Sequence, residues 1–164
     1  MPLATSKITD AFDEKMGVAL RFDVTMTGFG SIEPTNLKYW TSVKGIDQKF
    51  DVIEYRAAEG VNWRTQVPGM AKWSNLTLSR AITHADSKAT LKWLKTFADK
   101  YEKKGHCSIT GYTAWGDKAG VWNFTGVWPL QWDGPQFDTT STKAATETLT
   151  LAHDGLINNP DAAG

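Results

Sequence analysis

The chain has little cysteine: Cys107 is the one thiol in 164 residues, so an intrachain disulfide is excluded and burial and hydrogen bonding must hold the fold. It also lacks any apolar run near the roughly 20 residues that a membrane-spanning helix requires. The first seventeen residues, MPLATSKITDAFDEKMG, have no hydrophobic segment of the Sec signal type. Synthesis and assembly in a reducing cytoplasm are therefore expected, without stable membrane insertion, and any role outside the cell would need another exit route. An excess of charge of one sign is missing too. Eighteen basic residues offset eighteen acidic ones, which argues against an obligate binder of nucleic acid or anionic membrane.

Chemistry-bearing patterns are equally scarce. His84, His106 and His153 share no metal-ligand spacing with one another or with Cys107. His106 and Cys107 are neighbours on a strand pattern, so their side chains point to opposite faces and cannot act as base and nucleophile. The GFGS stretch at 28–31 has too few glycines, and no following helix, to cradle a phosphate. No GxSxG, P-loop or GxGxxG occurs. The expectation is a protein with no catalytic residue, no metal and no cofactor, and not an enzyme.

What the chain does have is strand periodicity and tryptophan. Eight tryptophans suit cores and interfaces, and they leave open a platform on which sugars stack. The organising stretch is Val121 to Leu151. Its first run sets Trp122, Phe124, Gly126 and Trp128 on one side against Val121, Asn123, Thr125 and Val127 on the other. Pro129 and the Asp133-Gly134-Pro135 cluster interrupt the ladder. From Thr142 the alternation resumes, with Ala145, Glu147, Leu149 and Leu151 against Thr146, Thr148, Thr150 and Ala152. The pair predicts a long β-hairpin with an irregular middle.

Elsewhere, strands are predicted over 18–27, Tyr39–Val43, Phe50–Arg56, Leu76–Ser79 and His106–Ala114. The 50–56 strand carries apolar groups on both faces, so both should be covered, by a core or by a neighbouring subunit. Gly60, Pro68 and Gly69 punctuate a roughly 16-residue connection after Arg56, long enough to imply a purpose. Trp63 and Val67 would be wasted there in water, so docking on a partner is favoured. A helix is predicted from an Asp86 or Ser87 cap to Lys104, with Leu91, Leu94, Phe97, Ala98 and Tyr101 on one stripe, lysines in the last turn and Gly105 as the stop. Its lysines at 88, 92, 95, 100, 103 and 104 read as a solvated surface. One helix among antiparallel strands makes an α+β or capped-barrel architecture. The chain reads as a single domain over 1–164, with 1–17 a flexible N-terminal arm and 157–164 a flexible C-terminal tail.

The segments VALRFDVTM, FDVIEYRAAEGVNW, VPGMAKWSNLTLSRA, LKWLKTF, VWNFTGVWPLQWDGP and AATETLTLAHDGL, in that order over about 18–157, resemble the inner tube proteins of phage tails and contractile injection systems, the T4-like tail tube family. The resemblance implies two packed, mainly antiparallel β-sheets in a barrel-like sandwich, one α-helix and a long inter-subunit loop. It implies a structural subunit that stacks as hexameric rings into a hollow conduit, propelled by sheath contraction to deliver cargo. The implied partners are further copies of the chain, a sheath protein, baseplate and tube-terminating proteins, and effector cargo in the lumen, with no nucleic-acid binding required outside a phage. Glu54, Tyr55, Arg56, Glu59, Gly60, Asn62 and Trp63, followed by Pro68 and Gly69, match the family's subunit-bridging region; the inserted Ala57-Ala58 pair makes the local turn this chain's own. Threonines 146, 148 and 150 would suit a wetted lumen wall. Two alternatives stay open at this point: a type VI secretion-like ring protein and an aromatic-rich carbohydrate-binding module.

Overall fold

The computed structural model describes residues 21–31, 34, 37–56, 64–140 and 142–157. The residues expected to form the N-terminal arm, and all but Ile157 of the expected tail, lie outside them. Among the described residues, nine strands and one helix follow one another as β1 (Arg21–Thr27), β2 (Ser42–Lys44), β3 (Gln48–Arg56), β4 (Arg64–Trp73), β5 (Leu76–Ala81), α1 (His84–Asp99), β6 (Gly105–Tyr112), β7 (Lys118–Asp133), β8 (Thr146–Ala152) and β9 (Gly155–Leu156). The main sheet has the order β1-β6-β7-β8-β5-β2, with β9 also on β7, while β3 and β4 form a separate two-stranded sheet. Every pairing is antiparallel.

The sixteen-residue β7 makes two packed layers out of one ladder, because its first half pairs β6 and its second half pairs β8. Two irregularities let it turn. The first is at Gly126, which no residue of β6 opposes: Gly105 faces Val127 and His106 faces Thr125. Gly126 has φ +64°, and a Cβ there would run into the Asp154 carboxylate. An extra residue in one strand reverses the side-chain alternation and sharpens the twist. The second lies between Pro129 and Gln131, where proline has no N–H to give the ladder. The strand therefore continues through Pro129 as a bulged ribbon. The predicted row of Trp122, Phe124, Gly126 and Trp128 ends at the first bulge: Phe124 and Val127 are buried, whereas Trp128 is half-exposed.

The core lies between the two layers and contains Val24, Met26, Leu76, Leu78, Cys107, Ile109, Phe124, Val127, Leu149 and Leu151. The helix closes one side, with Trp93 edge-on to Phe29 at 5.4 Å between centroids. Its start and end both differ from expectation. Thr83 is the cap and its side chain accepts from the Asp86 N–H, because Asp86 and Ser87 are needed inside the first turn to bind other groups. The helix ends at Asp99 with no basic residue in its last turn. Gly105 opens β6 instead of stopping α1, since the Phe29 ring lies against it where a Cβ would come within 2.5 Å of Cε2.

Candidate subunit interface

Arg64 to Trp73, expected as part of a long loop, is a strand paired to β3 from Gln48↔Trp73 to Arg56↔Arg64. Sequence reasoning missed it because Pro68 and Gly69 read as turn signals. Both are tolerated here for local reasons. Among the described residues β4 has no second neighbour, so proline costs it no central-ladder bond there. Gly69 sits against the bulge between Phe50 and Val52, where a Cβ would approach Asp51 O to 3.1 Å. The second half of the predicted loop is therefore one strand of a two-stranded arm, and residues 57–63, which join the two strands in the chain, are not among those described.

The arm is a ribbon with apolar side chains on both faces and, among the described residues, no layer packed on either. Register places Phe50, Val52 and Pro68 on one face and Ile53, Tyr55 and Val67 on the other, with Met70 at the bulge between them. Phe50, Val52 and Tyr55 are each about 60% exposed and Met70 is 79% exposed. Cross-strand ion pairs, Arg64 to Glu54 at 3.7 Å and Lys72 to Asp51 at 2.8 Å, fix the register. Because they sit in water they add little energy. A lone two-stranded ribbon is marginal in water, and one with two uncovered apolar faces is a docking element.

A second feature is the main sheet's open ends. Among the described strands it does not close on itself: β1 and the three-residue β2 are its terminal strands. Among the described backbone bonds, the outer edge of β1 has one, from Val24 N–H to Lys38 C=O at 3.4 Å. Such edges invite strand addition. The outer face of the β5/β8 layer is rich in hydroxyls. Thr77 faces Thr150, and Ser79 faces Thr148 with their hydroxyls 3.2 Å apart. Thr146, Thr148 and Thr150 all point away from the core, opposite Glu147, Leu149 and Leu151.

Beneath that hydroxyl face lies a buried ionic brace that the sequence did not announce. Arg80 and Glu147, both almost wholly buried, pair at 2.6 Å. The Arg80 guanidinium also donates to Thr90 Oγ1 at 2.7 Å and to the Asp86 carbonyl at 2.9 Å, and stacks on the Trp40 ring at 4.5 Å. Glu147 accepts from Ser87 Oγ at 3.1 Å and from Trp132 Nε1 at 3.4 Å. The brace ties α1 to β5, β7 and β8. The one available signal was a charged residue at an inward position of each strand, in LTLSRA and TETLTLA.

Of the predicted bridging residues, Glu54 and Tyr55 lie on β3, Arg56 ends it, and Pro68 and Gly69 lie on β4. The structure thus brings these five onto one arm. Glu59, Gly60, Asn62 and Trp63 lie outside the described residues. The tryptophans divide clearly: Trp40 and Trp93 are core, Trp122 and Trp132 pack against it, and Trp115 alone of those described is mostly exposed. The Cys107 thiol is buried, and that burial pushes its pKa up to about 12, far from a usable nucleophile. Among the described residues no group of His, Cys, Asp and Glu is arranged to hold a metal, and no helix is long and apolar enough to cross a membrane.

Comparison with known proteins follows the same lines. Residues 18–157 match the family model for T4-like virus tail tube protein gp19. A chain in the extended-state sheath–tube complex of the extracellular contractile injection system PVC is 27% identical, with 94% of this chain and 97% of that one aligned at TM-score 0.69. A chain in the tube-terminating cap of the anti-feeding prophage is also 27% identical, over 84% of this chain and 86% of that one, with TM-score 0.65. One in the anti-feeding prophage baseplate shares the fold at TM-score 0.70 and 16% identity, covering 84% and 91%. A search of curated proteins found no match.

Proposed function

This chain belongs to the T4-like virus tail tube protein family, and on that premise we propose how, as a tube subunit of a contractile injection system, it assembles and works. Its copies close into hexameric rings that stack into a hollow tube. A heterologous contact that closes after a fixed number of copies gives a ring, and strand edges left open in the protomer are the natural place for it. The β3–β4 arm, including Glu54, Tyr55, Arg56, Pro68 and Gly69 and the tip residues Glu59, Gly60, Asn62 and Trp63, makes the contacts between subunits.

The observation that carries this reading is the arm itself: an extended ribbon with apolar side chains exposed on both faces. Such a surface has no role in a monomer and is stabilised once neighbours cover it. The work is mechanical. A sheath drives the rigid conduit forward, baseplate and terminating proteins bound its two ends, and effector cargo travels in the bore, with no bond made or broken by the subunit. The hydroxyl row of Thr77, Ser79, Thr148 and Thr150 suits a wet wall past which cargo slides without sticking. Assembly takes place in the cytoplasm before the particle is released or retained. Deleting residues 57–72, so that β3 ends the arm, should leave a folded protomer that forms no tubes. Normal tubes from that variant in negative-stain micrographs would refute the arm's role.

A further inference from the structure

A groove of about 760 Å³ runs along α1, outside the arm and outside the hydroxyl face. Leu91 lines it from the helix, and Trp132, Pro135 and Phe137 line it from the end of β7 and the segment that follows. Leu91 is 45% and Phe137 80% exposed. Lys88, Lys92 and Lys95 line the helical rim at the i, i+4, i+7 spacing that puts them on one face. All three are exposed, and none has an ion-pair partner among the described residues. Two of the lining residues are anchored, since Trp132 Nε1 and Ser87 Oγ both donate to Glu147 in the buried brace.

We propose that this groove binds an acidic amphipathic helix of a protein other than this chain, its leucine-like face against Leu91 and Phe137 and its carboxylates against the three lysines. An apolar trough beside a helix takes a partner helix through residues spaced i, i+3, i+4 and i+7. The unpaired cationic row selects carboxylates at matching spacing and rejects basic helices. The arm of a second copy is the poorer occupant: although it is apolar, its described carboxylates Asp51 and Glu54 already serve Lys72 and Arg64. The inference builds on the tube reading in that such a subunit works within a larger particle.

The test uses the full chain and two labelled synthetic helices of identical leucine face, one with glutamates at i, i+4 and i+7 and the other with lysines there. By fluorescence anisotropy the glutamate helix should bind, with affinity falling as salt is raised. The triple variant K88E/K92E/K95E should lose at least about tenfold for that helix and gain affinity for the lysine helix. Phe137→Ser should weaken binding without changing which helix is preferred. Equal binding of the glutamate helix to the parent and the triple variant, or no binding to the parent at millimolar peptide, would overturn the proposal. So would hydrogen-exchange protection of residues 84–95 on assembly of this chain alone, which would give the groove to a second copy. Micrographs of the same samples judge tube formation separately, so a failed groove with normal tubes leaves the tube reading standing.

Discussion

Replacing Phe50 and Val52 together by serine asks whether the arm's exposed face is covered on assembly. The two lie on the same face of the ribbon, 59% and 61% exposed. Complete burial of such a side chain is worth about 1.5–3 kcal/mol. Scaled by the share still exposed, the pair would contribute about 2–4 kcal/mol when a neighbour covers it. Every added protomer brings one arm, so the loss enters each elongation step. With tenfold per about 1.4 kcal/mol, the critical concentration for tube growth should rise at least about thirtyfold. The protomer should hardly notice, because substitutions at exposed sites usually stay within about 0.5 kcal/mol. For a chain of this size that is about 1–2 °C in the unfolding midpoint. Sedimentation of polymer against total concentration, with thermal unfolding of the same samples, measures both quantities. Tubes at an unchanged critical concentration would show that this face stays in water in the assembly. A drop of several degrees in the midpoint would show instead that the arm is packed within its own protomer.

Further outcomes concern the interior and the charged surface. Glu147→Ala should destabilise by about 3–5 kcal/mol, because Arg80 is left buried without its counter-charge; the double variant R80M/E147L should recover most of that in denaturant titrations. Gly105→Ala pushes a methyl into the Phe29 ring and should cost about 1–3 kcal/mol, read by the same titration. Glu102 accepts from the Ser31 hydroxyl at 2.6 Å and the Ser31 N–H at 2.9 Å, and these bonds hold its carboxyl pKa below the ordinary value. The stabilisation from a depressed carboxyl is complete above the unfolded pKa and is lost as pH falls through the folded one. Ser31→Ala should therefore return the Glu102 carboxyl carbon shift, followed by NMR titration, toward an ordinary midpoint. Cys107, buried with its pKa raised to about 12, should resist thiol reagents at pH 8 in the folded protomer and react once denaturant unfolds it. Rapid labelling without denaturant would contradict its place in the core.

Much of this was legible in the chain. Alternation in RFDVTM and TETLTL named the inward residues Val24, Met26, Leu149 and Leu151 directly, because a strand's period of two is a local property. The apolar pattern on both sides of FDVIEYR called for two covers, whereas among the described residues of the protomer the ribbon is bare on both faces. Local rules misled where a neighbour decides the outcome. Pro68 and Gly69 signalled a turn, yet an edge strand tolerates the one and a bulge requires the other. Gly105 read as a helix stop, although its lack of a Cβ answers the Phe29 ring, seventy-six positions away in the chain.

The sequence by itself determined the strand faces, the presence of the helix and the order of segments that marks the family, since these depend on spacing between near neighbours. Only the tertiary structure decided that Gly126 switches the faces of β7, that Arg80 and Glu147 meet, and that the residues after the arm's tip fold back as β4. Each of these depends on which distant backbone comes alongside. That choice is made by burial across the whole domain, which no local window of residues contains.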